Sequence, residues 1–301
     1  IIRVTRVNKM SWDYNRDKTT DLMSLIKLSS ESYGSEKYIV PVEDEIDAIT
    51  FEKLYEFAIK LDYFLKTCDA EQNDRIAVVF QNSTLMALLF LSVIATKRVL
   101  VPINPKSGTK EIDYILKDSS PKLLLYDSSI GENINQLTFK NKKIVVGDHS
   151  ELIEEIFNRD IDTAEGPLLN ETESDGNIEA EIVFTSGTTG NPKGVVLTHR
   201  NLLEDSFAIG REFEFTSDTV FLTVCPLFHN SGQVPTTLVP LWCGGSTTAV
   251  RSDVGLLKFW YFVDRFEANW SFVTPAFLSF FNLRGGESSK ENHERHFFWR
   301  C

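Results

Sequence analysis

Three apolar runs follow one another between Ile76 and Ile103, and they limit the choice of fold more than any other stretch. Ile76 to Phe80 (IAVVF) is an unbroken run of strand length, and Val99 to Ile103 is a second, stopped by Pro105. Between them a helix is expected from about Ser83 to Thr96, with Ser83 as its N-cap. A strand that is apolar along its whole length is covered on both faces. Such strands separated by helices predict a parallel sheet with helices on either side, and right-handed crossovers make it doubly wound.

The alternation continues along the chain. Phe51, Leu54, Tyr55, Ala58, Leu61 and Leu65 recur at helical spacing, which predicts an amphipathic helix over about 51–66. A short helix over 111–117 and strands over 122–126 and 143–146 follow. Further on come strands over 181–185 and 195–197, a helix over about 201–210, and strands over 219–224, 246–250 and 271–273. Helices over about 254–266 and 275–281 lie among them. From Asp160 to Glu179 the composition turns acidic and loses its period, which reads as a solvated linker between two halves of the sheet system, about 20–160 and 180–282.

The two ends read differently. Residues 1–19 form an N-terminal extension whose first residue is Ile and whose first methionine is Met10, so the chain is expected to be a fragment or to start on translated upstream sequence. Arg284 to His296 (RGGESSKENHERH) has no apolar face. Such a segment cannot offset its ordering entropy by burial, so 283–301 is expected to be a polar tail foreign to the fold.

Composition removes several classes of function. With 31 Lys+Arg against 43 Asp+Glu the formal charge is −12, and no segment supplies the concentrated basic face of a nucleic-acid binder. The run Leu85 to Ala95 is too short to cross a bilayer, which takes about 20 residues, so no transmembrane segment is expected. Cys68, Cys225, Cys243 and Cys301 are far apart, with no Cys-x-x-Cys pair and no zinc spacing. Reduced thiols, a cytoplasmic location and no metal set held by the chain itself are the expectation.

The chemistry concentrates in Ile182 to Arg200 (IVFTSGTTGNPKGVVLTHR). An apolar strand runs into Thr185, Ser186, Gly187, Thr188, Thr189 and Gly190, then Asn191, Pro192, Lys193 and Gly194. Hydroxyls and backbone amides in such a run can converge on one anion, the glycines permit close backbone approach, and Lys193 adds a point charge suited to phosphate oxygens. The spacing is not that of a Walker A loop, because Lys193 follows Gly190 by three residues and precedes Gly194. That departure weighs against an unrelated nucleotide-binding transferase. The plain alternative is a turn rich in hydroxyl and glycine residues with no ligand. His199 and Arg200 read as helix-entry residues.

Phe184 to Gly194 resembles the phosphate-binding signature of the adenylate-forming (AMP-binding) enzymes, among them acyl-CoA synthetases. Other stretches resemble that family in the expected order: Thr50 to Leu54 (TFEKL), Val101 to Pro105 (VPINP), Pro226 to Gly232 (PLFHNSG) and Val273 to Ala276 (VTPA). The resemblance covers roughly residues 20–280 and implies an αβαβα-type arrangement of doubly wound, mostly parallel sheets with flanking helices. It implies ATP and phosphate binding at Thr185, Ser186, Gly187, Thr188, Thr189, Gly190 and Lys193, and an acyl pocket bordered by His229, Asn230 and Gly232. The implied reaction has two steps: a carboxylate attacks the α-phosphorus of ATP, with Mg2+, to give an acyl-adenylate and pyrophosphate, and a thiol of coenzyme A or of a carrier protein's phosphopantetheine then takes the acyl group. Amino-acid-activating members tend to carry an Asp where Phe228, His229, Asn230 and Ser231 offer no carboxylate, so a fatty or aryl acid is expected.

Several of the family's later motifs are missing from this sequence. There is no aromatic-Gly-x-Thr-Glu motif to stack adenine, no ribose-binding Asp that the resemblance would place, and no small domain with its adenylation lysine. The expectation is therefore a truncated large domain, 20–282, with no catalytic residue retained and no activity alone. A non-catalytic remnant that still binds phosphate is the alternative.

Overall fold

The computed structural model describes residues 16–160, 176–185, 191–277 and 279. Among these, ten strands build two sheets. β1 (Lys37–Ile39), β2 (Ile49–Thr50), β9 (Val220–Thr223) and β10 (Ser246–Ala249) form a four-stranded sheet in the order β2-β1-β10-β9. β3 (Arg75–Val79), β4 (Val99–Pro102), β5 (Leu123–Asp127), β6 (Lys142–Val146), β7 (Glu179–Thr185) and β8 (Lys193–Thr198) form a six-stranded sheet in the order β6-β5-β3-β4-β7-β8. Pairing is parallel except for β1 with β2 and β7 with β8. Order reverses on either side of β3 and β4, as a doubly wound sheet requires.

Side-chain alternation on the central strands sorts the layers. Ile76 and Val78 of β3 enter one core with helices α1 (Leu22–Tyr33), α2 (Phe51–Thr67) and α3 (Thr84–Ala95), together with Tyr38, Ile39 and Ala249 of the other sheet. Ala77 and Val79 point the other way, into a core with Ile112, Ile115 and Leu116 of α4 (Thr109–Ser119). The outer face of the four-stranded sheet, through Leu222, Val224 and Val250, meets Phe259, Phe262 and Val263 of a helix over Phe259–Phe266. The layers are thus helix, sheet, helix, sheet, helix. All twelve residues of α3 are buried, which is why its sequence carries no polar stripe: it lies between the two sheets and is touched from every side.

Several elements differ from the sequence expectations. α1 (Leu22–Tyr33), β1, β2 and a helix over His149–Phe157 are present where the sequence reading placed no element. The helix expected over 254–266 is two, Ser252–Leu257 and Phe259–Phe266, parted at Lys258, whose backbone leaves the helical region. No strand forms over 271–273. Trp270 bridges Phe221, but the Ser271 hydroxyl donates to the Leu222 carbonyl at 2.6 Å and takes the acceptor of a further ladder bond. The acidic stretch read as a linker has strands of one sheet on both sides, since β7 pairs with β4. Residues 161–175 of that stretch, and the tail beyond 280, lie outside the described residues. No helix among the described residues is long and apolar enough to cross a membrane.

Candidate active site

Thr185 ends β7 and Pro226 follows β9, and each strand pairs in parallel with a neighbour, so both motifs start at carboxyl ends, where open α/β sheets form their binding crevices. β7 and β8 make an antiparallel hairpin whose last pair sets Thr185 across from Lys193. The Thr185 hydroxyl donates to the Lys193 carbonyl at 3.5 Å, and both side chains are exposed at the mouth of the turn. Gly194 is required by packing across the hairpin, because a Cβ there would come within 2.9 Å of Ile182 and 3.1 Å of the Phe184 ring. Lys193 has no ion-pair partner among the described residues, so its charge is open to an anion. Ser186, Gly187, Thr188, Thr189 and Gly190 lie outside the described residues.

The second loop, Pro226 to Gly232, follows β9. His229 caps the short helix Asn230–Gln233: its Nδ1 accepts from the Ser231 amide at 3.3 Å and lies 3.2 Å from the Ser231 hydroxyl. A neutral ring therefore carries its proton on Nε2, and the side chain is exposed. Asn230 is partly buried, with Oδ1 enclosed and unpartnered among the described residues. Gly232 is buried where a Cβ would meet the Cys225 and Pro226 carbonyl oxygens at 2.4 and 2.5 Å, so no other residue fits without moving the loop. The Gly232 carbonyl in turn accepts from the hydroxyls of Thr236 and Thr237 at 2.9 and 3.0 Å, in a wide helical turn over Val234–Leu238. Burial pushes the neighbouring Cys225 thiol up to about 11, so it stays protonated and is no acyl acceptor.

Side chains that the sequence did not single out hold this second loop in place. Asn82, just past β3, donates to the carbonyls of Cys225 at 2.8 Å and Val250 at 3.1 Å, and accepts from the Leu227 amide at 2.8 Å. One buried amide thus ties the end of β3 to the ends of β9 and β10. Glu181 on β7 accepts from Gln233 Nε2 at 2.5 Å, and the same Nε2 donates to the Leu227 carbonyl at 2.8 Å. Burial pushes the Glu181 carboxyl up to about 8, against the lowering effect of the Gln233 bond, so it is neutral at pH 7. The signal for Glu181 was present as an acid inside the apolar run of β7; Asn82 and Gln233 carried none. His199 opens helix α5 (His199–Glu212), as its sequence position suggested, and is fully buried with Nδ1 accepting from the Leu22 amide at 3.1 Å.

The AMP-binding enzyme model matches residues 30–297. The chain belongs to the AMP-binding enzyme family. Among similar proteins of this family, crotonobetaine/carnitine–CoA ligase of Salmonella paratyphi A is 24% identical over 263 residues, 83% of this chain and 50% of the ligase. Oxalate–CoA ligase of Arabidopsis thaliana is 29% identical over 210 residues, 67% of this chain and 40% of the ligase. The fold is that of the N-terminal domain of FACL13 from Mycobacterium tuberculosis, with a TM-score of 0.75 at 19% identity, over 92% of this chain and 67% of that one. The chain spans about half the length of the curated relatives it matches.

The donor set of this AMP-binding chain suits phosphate: an open ammonium on Lys193 and a hydroxyl on Thr185 at one hairpin mouth. No group of three His, Cys, Asp or Glu side chains among the described residues could hold a metal, and no step below runs through one.

Proposed function

We propose that this chain is the N-terminal part of an ATP-dependent acid–thiol ligase that activates a fatty or aryl acid as its acyl-adenylate. The observation that carries the reading is the β7–β8 hairpin, which sets Lys193 across from Thr185 at the mouth of the Ser/Thr/Gly loop in a chain of this family. Negative charge builds on pyrophosphate as the carboxylate oxygen attacks the α-phosphorus, and a preorganised cation with hydroxyl donors lowers the energy of that state. On the acid side, Phe228, His229, Asn230 and Ser231 offer no carboxylate to pair with an ammonium, which favours a plain acid over an α-amino acid. Coenzyme A or a carrier-protein phosphopantetheine would accept the acyl group. The buried free thiols of Cys68, Cys225 and Cys243 fit a cytoplasmic setting.

The test is acid-dependent exchange of pyrophosphate into ATP by a version that carries the other half of the relatives' length. Fatty or aryl acids should support exchange, and Lys193→Ala should lower it about 100-fold, the cost of one lost transition-state donor. Exchange with α-amino acids alone, or full exchange by Lys193→Ala, would refute the reading. The 301-residue chain by itself is expected to make no acyl-CoA from ATP, a panel of acids and coenzyme A. Groups that act together in one constellation lose far more than their summed parts when some are missing. Acyl-CoA formation by this chain that Lys193→Ala abolishes would show its site to be complete.

A further inference from the structure

We propose that Glu181 and Gln233 are a positioning pair, by which the strand that delivers the phosphate loop also fixes the place of the loop on the acid side. This deepens the ligase reading and rests on it.

The two residues lie 52 positions apart in sequence and belong to different sheet systems: Glu181 to β7 of the six-stranded sheet, Gln233 to the helix that follows β9 of the four-stranded sheet. Glu181 sits four residues before Thr185 on the same strand, and the β7–β8 register shifts between Glu179 and Glu181. Irregularities of this kind re-aim a side chain next to functional loops. Gln233 spends its single amino group twice, on Glu181 Oε1 and on the Leu227 carbonyl, and Leu227 lies between Pro226 and His229. Its own amide donates to the His229 carbonyl at 3.3 Å. A shift of β7 therefore reaches this loop at Leu227 through the Gln233 side chain and at the His229 carbonyl through the Gln233 main chain.

The pair is costly to keep, which points to a role beyond packing. Both residues are fully buried, and Glu181 Oε2 and Gln233 Oε1 have no hydrogen-bond partner among the described residues. Two apolar side chains of like volume would leave no unsatisfied atom, since unpartnered buried polar atoms destabilise a core. What an apolar pair could not do is hold one carbonyl of the acid-side loop in a set direction.

The experiment uses the longer protein and four variants: Glu181→Gln, Glu181→Leu, Gln233→Leu and the double Leu variant, each checked for folding by circular dichroism. Glu181→Gln keeps the accepting oxygen and replaces the carboxyl proton with an amide donor, so its exchange kinetics should stay within about twofold of wild type. Either single Leu variant should raise the KM for the acid about tenfold while the KM for ATP holds, and the double variant should be no worse than the singles, as for two groups of one contact. A second reading, amide hydrogen exchange, needs no activity: Gly232 and Gln233 should exchange faster in Glu181→Leu, with Ile76 to Val79 unchanged. Effects of the two Leu changes that simply add, an unchanged acid KM, or equal damage from Glu181→Gln would overturn the pair. If the wild-type longer protein exchanges pyrophosphate with no acid, the ligase reading fails, and the amide-exchange arm still decides whether the contact holds the loop.

Discussion

Glu181 and His199 are both neutral where the fold is formed, and they respond to pH in opposite senses. Burial raises the Glu181 carboxyl from 4.5 to about 8, so between those values the unfolded chain has lost a proton that the folded chain keeps. Stability from this residue is therefore complete below about 4.5 and is lost as pH rises towards 8. Burial lowers the His199 imidazole from 6.5 to about 4, with Asp21 opposing and Lys97 adding to the shift. Here the unfolded chain binds the extra proton, so stability is complete above 6.5 and is lost as pH falls towards 4. Protonating Nδ1 would also remove the acceptor for the Leu22 amide. The two slopes oppose each other between 4.5 and 6.5, and above 6.5 the Glu181 slope stands alone. Denaturant unfolding of Glu181→Gln should therefore gain on wild type as pH rises from about 6.5 to about 8. His199→Gln should lose less than wild type as pH falls from about 6.5 to about 4. Profiles that run parallel to wild type would show that neither group titrates on unfolding.

Helix α3 concentrates the apolar contact of the molecule, because all twelve of its residues are buried and it sits where both sheets close. Leu88 on this helix has no exposed surface, whereas Leu257 on the outer layer is 60% exposed. Leu88→Ala should cost about 3 kcal/mol of unfolding free energy, and Leu257→Ala within about 0.5 kcal/mol, measured by denaturant titration. Near-equal costs would mean that the core between the sheets is loosely packed. The same burial explains what the sequence could tell. β3, β4 and α3 were legible because continuous burial writes itself as continuous apolarity; β7 and β8 were legible as strands on either side of the Ser/Thr/Gly run, but their antiparallel pairing was not. β1 and β2 were not, since three and two residues carry no period. Thr185, Lys193 and His229 are candidates that their motifs name. Asn82 and Gln233 are named by none, because each acts on a partner 145 or 52 positions away that no local pattern announces.

Neither sheet belongs to one half of the chain. β1 pairs with β10 through Ile39 and Thr247, and β4 pairs with β7 through Leu100 and Glu181. A fragment of residues 20–160 and one of residues 180–282 should each lack a cooperative transition and bind a hydrophobic dye, because each would leave strand edges and an inner sheet face open. Mixed in denaturant and refolded together, they should recover one cooperative transition, followed by circular dichroism. A cooperative transition in either fragment alone would show that the sheets assemble separately. The enclosed position of α3 has a further consequence on the ribosome. Its second face is covered by β10, and about 150 residues separate Ala95 from Ser246. At about 5–20 residues per second, a nascent chain holds this wholly buried, largely apolar helix without its second cover for roughly 8–30 seconds. During that interval its exposure is set by elongation speed and by whatever chaperone meets the emerging chain, so synonymous codons that slow translation between Ala95 and Ser246 would lower the soluble yield without altering a single residue.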